Sequence, residues 1–401
     1  MIAETNHRMT RRLRNWDYRQ RAIYMITVVL ADRSREWLGH LIRLAENGEA
    51  QNSSKSGRFI IAPTPFGEAV LEALDEMPRL YPQVKILARQ LMPDHFHFVP
   101  FVMAILPKPL GALVRGFKAG AAKRWKRIAD CSEPPGSVPP GSVPPHSCGG
   151  KSSGKSAIPQ WADGFQDTIL FREGQLQAML AYIRDNPRRL AEKRANPALF
   201  HRVALLSLPL DGGRLTGRFE ALGNRHLLER PLHQVQCSRR YFAWRRIPKQ
   251  GGGLKIARDA VGDPVTEHTT PEYTTRLEDA LDAAAHGTVI ISPCISDGER
   301  QIALEALKRG LPLIVLRNKG FAKLQKPTGR LFDACAAGRL LMLAPAAWPY
   351  TPQEKPMTRF DATALNRICQ WLVGEDAIEI NYHGMTPADI DQTARAAILA
   401  T

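Results

Sequence analysis

The sequence has few of the features that mark exported, membrane-spanning or disulfide-stabilised proteins. Its six cysteines are scattered over 401 residues without a Cys-x-x-Cys pair. This argues against a zinc knuckle or a disulfide framework and favours a reducing cytoplasm. No apolar run approaches the ~20 residues of a membrane span, so no membrane partner is expected. The opening residues, MIAETNHRMTRRLRNW, lack an apolar signal core, so export is not expected.

Acidic residues are scarce in the first part of the chain. Residues 1–250 contain 39 Lys and Arg against 21 Asp and Glu, whereas residues 251–401 contain 16 against 18. The net charge of +16 therefore arises from the first part. Such an excess predicts a polyanionic partner, most simply nucleic acid. The alternative is that the charge only keeps the protein soluble, because basic balance alone specifies no ligand.

Composition also predicts the domain organisation. Residues 131–158 are rich in Pro, Gly and Ser, repeat PPGSV in tandem, and are expected to form a disordered insertion. Within them GGKSSGKS matches a phosphate-binding loop, but the sequence predicts no strand before it and no helix after it, so ATP binding is not expected. The predicted domains are 15–195, which carries this insertion, 215–350, and a helical extension, 351–401.

Hydrophobic patterning predicts the secondary structure of both domains. Short antiparallel strands with helices on one face would make the first domain an α+β sandwich. Residues 286–316 have the strand, loop, helix and strand of an α/β fold. The expected strands of the first domain are 22–30, 84–92, 95–103 and 165–171, and its expected helices are 34–46, 67–77, 110–129 and 174–186, the last stopped or kinked by Pro187.

Two histidines lie in one predicted strand, HFHFVPFVM, residues 95–103. Side chains at i and i+2 share a face of a strand, so His95 and His97 project together while Phe96 and Phe98 point to the other side. Two neighbouring imidazoles form half of a divalent-metal site. The alternative is two unrelated polar residues on an exposed sheet face.

A later helix carries a second candidate group in LAYIRDNPRRL. Tyr182 and Asn186 stand at i and i+4 and therefore lie on one side of the helix. A phenol is a possible nucleophile, and an amide oxygen is a hard metal ligand. The alternatives are a core aromatic residue and an asparagine that ends the helix before proline.

Basic residues near these motifs are candidates for contact with DNA. Trp125 could stack on a base, and Arg11, Arg12 and Arg14 could form a flexible arm. The alternative is a solvated helix face with a core tryptophan. The candidate phosphate contacts are Lys118, Lys123, Arg124, Lys126 and Arg127 on one helix and Arg184, Arg188 and Arg189 on the tyrosine helix, whose surroundings also include Lys193 and Arg194.

In this order, MPDHFHF and YIRDNPRR resemble the REP-associated branch of the single-tyrosine HUH transposases over about residues 15–195. The resemblance implies an HUH-type, ferredoxin-like antiparallel sheet. It also implies that His95, His97 and Asn186 hold one Mg²⁺ or Mn²⁺. Tyr182 would then attack single-stranded DNA with hairpin structure and form a 5′-phosphotyrosine. The family usually has Asn where Asp94 stands, and Asp there could close the turn or add charge beside the metal.

Residues 215–347 distantly resemble the Rossmann-like domain of DNA-processing protein A, through FEALGNRHLLERPLHQVQCSRR and ISPCISDGERQIALEALKRGLPLIVL. Ser296 and Glu299 fit a capping box, and the loop entering this helix is a candidate nucleotide or anion site formed by Ser292, Ser296 and Gly298. The alternative is a plain capped helix.

For the whole chain, the first hypothesis is a transposase-like enzyme. The second is a domesticated, non-catalytic module that binds DNA hairpins or nucleotides, and the sequence leaves monomer and homodimer undecided.

Overall fold

The chain divides into two units, each with its own core. Tertiary contacts separate an amino-terminal unit, Met1–Glu192, from a carboxy-terminal unit, Lys193–Thr401. The expected insertion beyond Cys131, the phosphate-loop pattern within it and the amino-terminal arginines lie outside the described residues. In the described ranges no helix is both long and apolar enough to cross a bilayer. The computed structural model describes residues 16–44, 58–131, 159–172, 174–238, 240–248, 252–323, 325–353, 357–374 and 384–399.

The amino-terminal unit is built on an antiparallel sheet of four strands. β-branched and aromatic residues dominate its two central strands, AIYMITVV and HFHFVPFV, as is typical of buried strands. The antiparallel α+β character expected of this part is confirmed. In chain order its elements are β1 (Ala22–Val29), β2 (Gly39–Leu44), β3 (Arg58–Pro63), α1 (Pro65–Asp75), α2 (Met77–Leu80), β4 (Val84–Leu91), β5 (His95–Val102), α3 (Leu110–Cys131), β6 (Gln166–Ile169) and α4 (Gln175–Ala195). The sheet has the order β4-β5-β1-β6, and β2 pairs with β3 in a separate hairpin.

Helices cover both faces of this sheet, so the expectation of helices on one face is wrong. Helices α1 and α3 share the larger core, where Phe96 and Phe98 of β5 contact Phe117 of α3. Helix α4 lies on the opposite face, where Ile183 packs against Met25 and Val99. The reason is that β1 and β5 carry apolar side chains on both faces, and each apolar face needs cover from water.

The segment predicted as a helix at 34–46 contains a strand instead. Residues Gly39–Leu44 pair in antiparallel register with Arg58–Pro63. A Cβ on Gly39 would approach the carbonyl oxygen of Ala62 to 2.6 Å, so the close approach of the two chains requires glycine here. The local spacing of Leu38, Leu41 and Ile42 suits a helix, but the partner strand that decides the outcome is distant in sequence.

The sequence predicted that Pro187 stops or kinks helix α4; the helix runs on to Ala195, so the predicted stop is wrong. Proline in a helix interior removes one backbone hydrogen bond and usually breaks the helix. Here Asn186, Pro187 and Arg189 are all buried, together with Ile183 on the face that meets the sheet. Packing of this face offsets the missing hydrogen bond. Tyr182 and the basic residues after Pro187 therefore stand on one helix.

The carboxy-terminal unit has a mixed sheet between two layers of helices. Four strands of this sheet are parallel, β9, β14, β15 and β16, and two antiparallel strands, β8 and β7, extend it. The expected α/β pattern is present, and the finer Rossmann-like assignment stays a prediction. In chain order the elements are β7 (Val203–Leu210), β8 (Leu215–Gly223), β9 (Leu232–Gln234), β10 (Phe242–Trp244), β11 (Arg246–Pro248), β12 (Leu254–Ile256), β13 (Thr266–Thr269), α5 (Pro271–Ala285), β14 (Val289–Ser292), α6 (Asp297–Lys308), β15 (Leu313–Leu316), α7 (Arg330–Ala336), β16 (Leu340–Pro345), α8 (Arg359–Val373) and α9 (Pro387–Ile398).

The last two helices complete the core of this unit. Helices α5, α6 and α7 pack on the face that includes Ile290 and Met342. Helices α8 and α9 pack on the opposite face through Ile368 and Ala397, against Ile291 and other strand residues. The sheet therefore has apolar side chains on both faces, as buried parallel strands require. Helices α8 and α9, which lie within the segment expected as a helical extension, 351–401, form this second layer.

Candidate active site

The two histidines of β5 direct one nitrogen each toward the same point. Nε2 of His95 and Nε2 of His97 lie 3.1 Å apart, and the rings meet edge to face. Two ligands ~2.1 Å from one ion and at right angles lie about 3 Å apart. The separation of the two nitrogens therefore suits two neighbouring ligands of a single divalent ion.

The other ring nitrogen of each histidine is held by a side chain of the sheet or its turn. Nδ1 of His95 lies 2.6 Å from Oδ1 of Asp94, and Nδ1 of His97 lies 2.8 Å from Oγ1 of Thr27. A carboxylate only accepts, so Nδ1–H of His95 donates to Asp94, and a neutral His95 ring then presents a lone pair at Nε2. The Thr27 hydroxyl can donate or accept, so it supports either tautomer of His97. Such partners fix the orientation of metal-binding imidazoles.

Asp94 links this turn to the loop after β1. Its second carboxylate oxygen, Oδ2, lies 2.5 Å from Nε of Arg33. Burial alone would raise the pKa of Asp94, but the hydrogen bonds and charges of His95 and Arg33 outweigh it and hold the pKa below its usual range. Asp94 is therefore ionised near neutral pH and lies on the outer side of His95, at Nδ1 and not at Nε2.

His97 is the more deeply buried member of the pair. Burial, reinforced by repulsion from His95, lowers the pKa of His97 to about 3, against an opposing effect of Asp94. His97 is therefore neutral at physiological pH. A neutral imidazole is the form that binds a metal ion.

A row of polar side chains crosses the sheet on the histidine face. Register pairs Gln90 of β4 with His97, His97 with Thr27 of β1, and Thr27 with Gln166 of β6. Residues paired across antiparallel strands project to the same face, so these four residues form one line, which we call the polar row. Thr27, Gln90 and Gln166 were not predicted from the sequence as site residues. A lone threonine in the apolar run AIYMITVV was the available signal, but assigning it to His97 requires the strand register.

Helix α4 places Tyr182 beside this pair. The ring centroids of Tyr182 and His97 lie 6.3 Å apart, and the two rings meet edge to face. The guanidinium of Arg189, two turns further along α4, lies 5.5 Å from the centre of the Tyr182 ring. Tyr182 is 41% exposed, so its ring is anchored by His97 and Arg189 but remains accessible from solvent. The alternative of a core aromatic residue does not describe this side chain.

Asn186 is buried one turn after Tyr182 and has an unsatisfied amide. Its Nδ2 atom is inaccessible to solvent and has no hydrogen-bond partner among the described atoms. Buried polar groups normally have a partner, and a 180° turn of the amide exchanges nitrogen and oxygen. After such a turn the unsatisfied atom would be the amide oxygen Oδ1, which can bind a cation. The described residues contain no cluster of three or more His, Cys, Asp or Glu placed to hold a metal ion, so an all-His/carboxylate site is not present there.

The candidate DNA contacts of α3 lie on the other face of the sheet from Tyr182 and are partly engaged in packing. Lys118 donates to the carbonyls of Ala162 and Gly164, and Arg124 pairs with Glu72 and Glu76 of the α1–α2 region. Trp125 packs edge to face on Phe66 in the core. Lys123, Lys126 and Arg127 are exposed.

The candidate DNA contacts of α4 lie on the tyrosine helix itself. Arg184 is exposed, Arg188 pairs with Asp185 at 2.6 Å, and Arg189 is buried against Tyr182. Lys193 and Arg194 follow in the last turn of the helix. The structure thus places Arg189 beside Tyr182, whereas α3 packs on the other face of the sheet.

The helix start expected to bind a nucleotide or anion contains two buried carboxylates. Oγ of Ser296 accepts the backbone N–H of Glu299, and the Glu299 carboxylate accepts those of Ile295 and Cys237. Asp297 pairs with Arg246 at 2.7 Å. Burial raises the pKa of Glu299, although these amides oppose the rise.

The other two predicted residues of this site are engaged in packing and hydrogen bonding. The Ser292 hydroxyl accepts the backbone N–H of Cys294, and a Cβ on Gly298 would overlap the sulfur of Cys237. Acidic side chains at this helix start disfavour an added anion.

No protein-family description and no curated protein matches this sequence. A solved structure that resembles the chain is that of a REP-associated tyrosine transposase bound to a REP hairpin. It is 14% identical, and the match covers 45% of this chain and 73% of that chain with a TM-score of 0.27. Likeness at this level carries no argument about function, which therefore depends on the geometry of the site.

Proposed function

We propose that the protein is a transposase-like enzyme that cleaves and rejoins single-stranded DNA through Tyr182. The observation that carries the proposal is the contact between the Tyr182 ring and His97, whose Nε2 converges with that of His95. A nucleophile beside two imidazoles that are oriented through their other nitrogens is a constellation for phosphoryl transfer. An HUH-type, ferredoxin-like assignment of the sheet is part of the same proposal.

His95, His97 and Asn186 would hold one Mg²⁺ or Mn²⁺. The 3.1 Å separation of the Nε2 atoms and the unsatisfied Asn186 amide support this ligand set. When bound, the ion would offset negative charge on the phosphate and on the leaving oxygen. Asp94 and Thr27 hold the imidazoles in place through Nδ1.

The covalent step exchanges one phosphate ester for another. Oη of Tyr182 forms a bond to phosphorus and releases its proton, while the bond from phosphorus to the 3′ oxygen of the preceding nucleotide breaks and that oxygen takes up a proton. The products are a 5′-phosphotyrosine and a 3′-hydroxyl. The reverse attack by a 3′-hydroxyl rejoins a strand without a nucleotide cofactor, because the ester is conserved.

The cations of α4 support binding of a phosphodiester at this point. Arg189, whose Nε also lies 3.9 Å from the Asp185 carboxylate, carries positive charge beside the Tyr182 ring, and Arg184 is exposed on the same helix. Guanidinium groups bind phosphate oxygens through paired N–H donors. Single-stranded DNA with hairpin structure is the proposed substrate. For the carboxy-terminal unit we propose a Rossmann-like fold and a role in handling nucleotides.

The test is a covalent-adduct assay with a 3′-labelled single-stranded hairpin and Mn²⁺, read on a denaturing gel. We expect a labelled protein band with the wild-type chain and none with Tyr182→Phe, because the phenylalanine ring keeps the packing but lacks Oη. Tyr81→Phe, a partly buried tyrosine of the same unit, is the matched control and should retain the adduct. Binding of the hairpin without any adduct in the wild type would support the non-catalytic binding module instead.

A further inference from the structure

A cavity in the carboxy-terminal unit combines several cations within a small volume. Its volume is about 440 Å³, within the range of small-molecule sites. Lys193, Arg202, Lys323 and Lys326 line it, together with His201, and no acidic residue is among the lining residues. We call it the basic cavity. Like charges gathered in this way repel one another, and an anion bound among them would reduce the repulsion.

The two chain segments that form the basic cavity are tied together by their own cations. Arg202, in the first segment, donates through Nη1 to the carbonyl of Phe321 in the second at 2.8 Å. Lys326, in the second segment, donates to the carbonyl of Phe200 in the first. Arginine has five N–H donors and a lysine ammonium has three, so each side chain retains donors after this bond. The bonds neutralise no charge, because their acceptors are neutral carbonyl groups.

Further contacts fix the walls of the basic cavity. Glu220 accepts the backbone N–H of Phe321 at 2.9 Å and lies 3.7 Å from Arg202, so it offsets part of one positive charge. Phe200, which also lines the cavity, stacks on Phe332 with ring centroids 4.9 Å apart. Arg202 and Lys326, which are held in this way, lose little conformational entropy when a ligand binds.

We propose that the basic cavity binds phosphate groups, either of a free nucleotide or polyphosphate or of a DNA strand. Four cationic side chains exceed what one carboxylate needs, whereas a phosphate chain offers several charged oxygens to arginine and lysine together. The cavity lies within residues 193–326 and is separate from the helix start at Ser296. The proposal does not depend on the cleavage chemistry proposed for Tyr182.

The test measures binding of tripolyphosphate to the full chain by isothermal titration calorimetry at low salt. Lys323→Glu reverses one exposed cation of the cavity, and Lys255→Glu makes the same change at an exposed lysine outside it. We expect Lys323→Glu to weaken binding about 10-fold or more, and we expect Lys255→Glu and Tyr182→Phe to leave it unchanged. Lys323→Met should give a smaller loss in the same direction. The melting temperature of each variant confirms that it is folded.

Two further arms distinguish the sources of the phosphate. If Lys323→Glu weakens binding of a nucleoside triphosphate but not of a thymidine oligonucleotide, the ligand is a free nucleotide or polyphosphate. If the oligonucleotide also loses affinity, the cavity holds a DNA strand. The proposal is overturned if tripolyphosphate does not bind the wild type at millimolar concentration, or if Lys323→Glu and Lys255→Glu weaken it equally.

Discussion

Replacement of Asp94 tests whether the histidine pair is oriented for a metal ion. In the wild type the carboxylate lies 2.6 Å from Nδ1 of His95 and 2.5 Å from Arg33, and its side chain is 20% exposed. Removing the group that orients a metal-binding histidine typically lowers metal affinity by about 10–100-fold. This corresponds to ~1.4–2.7 kcal/mol of binding free energy.

Two substitutions of Asp94 separate its role in orienting His95 from the effect of its negative charge. Asp94→Ala removes both, so we expect a loss of Mn²⁺ affinity toward about 100-fold. Asp94→Asn keeps an oxygen that accepts from Nδ1–H and loses only the charge, so we expect a loss of about 10-fold or less. The partner Arg33 is largely exposed, and exposed ion pairs contribute ~0–1 kcal/mol, so its loss should add little.

The assay is a titration followed by the electron paramagnetic resonance signal of free Mn²⁺. Asp75→Asn serves as the matched control, because Asp75 also pairs with an arginine, Arg89, but is 63% exposed and belongs to a different surface of the unit. Its Mn²⁺ affinity should equal that of the wild type. If Asp94→Ala binds Mn²⁺ as tightly as the wild type, Asp94 does not orient a ligand, and the assignment of the ion to His95 fails.

Three further results are expected. Thr27→Val should weaken Mn²⁺ binding about 10-fold, because a valine side chain cannot accept a hydrogen bond from Nδ1–H of His97. Thr27→Ser keeps a hydroxyl and should bind Mn²⁺ as the wild type does. Equal Mn²⁺ affinities of the two variants would contradict this orientation of His97. The logarithm of affinity for single-stranded DNA should fall with the logarithm of salt concentration by ~0.7 per neutralised phosphate, and Arg184→Ala should reduce that slope by about 0.7; a flat response would refute a phosphate-binding face. Hydrogen bonds from Arg330 and Lys308 hold the pKa of Asp263 below its usual value. The Asp263 carboxylate therefore stabilises the carboxy-terminal unit fully at pH values above the pKa of ~3.9 that it has in the unfolded chain. This stabilisation is lost as the pH falls through the lower pKa of the folded state. Thermal unfolding of Asp263→Asn should therefore differ from wild type at pH 7 and converge with it in strong acid, and an equal difference at both pH values would rule out this linkage.

Local periodicity was enough to predict which chemical groups share a side of their element. Two-residue alternation placed His95 and His97 on one face of a strand, and the i,i+4 spacing placed Tyr182 and Asn186 on one side of a helix. These relations need only the geometry of a single element. They do not say on which face of the sheet that helix packs, and the expectation of helices on one face was therefore wrong.

The partners of these groups depend on contacts that are distant in sequence. Thr27 meets His97 only because β1 lies beside β5 in a particular register. Arg124 was a candidate for DNA contact, but it is held by Glu72 and Glu76, which a charge count cannot assign to it. The strand at Gly39–Leu44 likewise depends on its pairing with Arg58–Pro63. In each case a tertiary contact decided the outcome over a local preference.

The central claim, that Tyr182 becomes joined to DNA, is tested most directly by mapping the linkage. The wild-type protein would be incubated with the hairpin and Mn²⁺, treated with nuclease and trypsin, and analysed by tandem mass spectrometry. Cleavage after Arg172 and Arg184 releases a peptide, residues 173–184, in which Tyr182 is the only tyrosine. We expect a nucleotide 5′-phosphate on this tyrosine. An adduct at any other residue, or none while the hairpin is bound, would contradict the account.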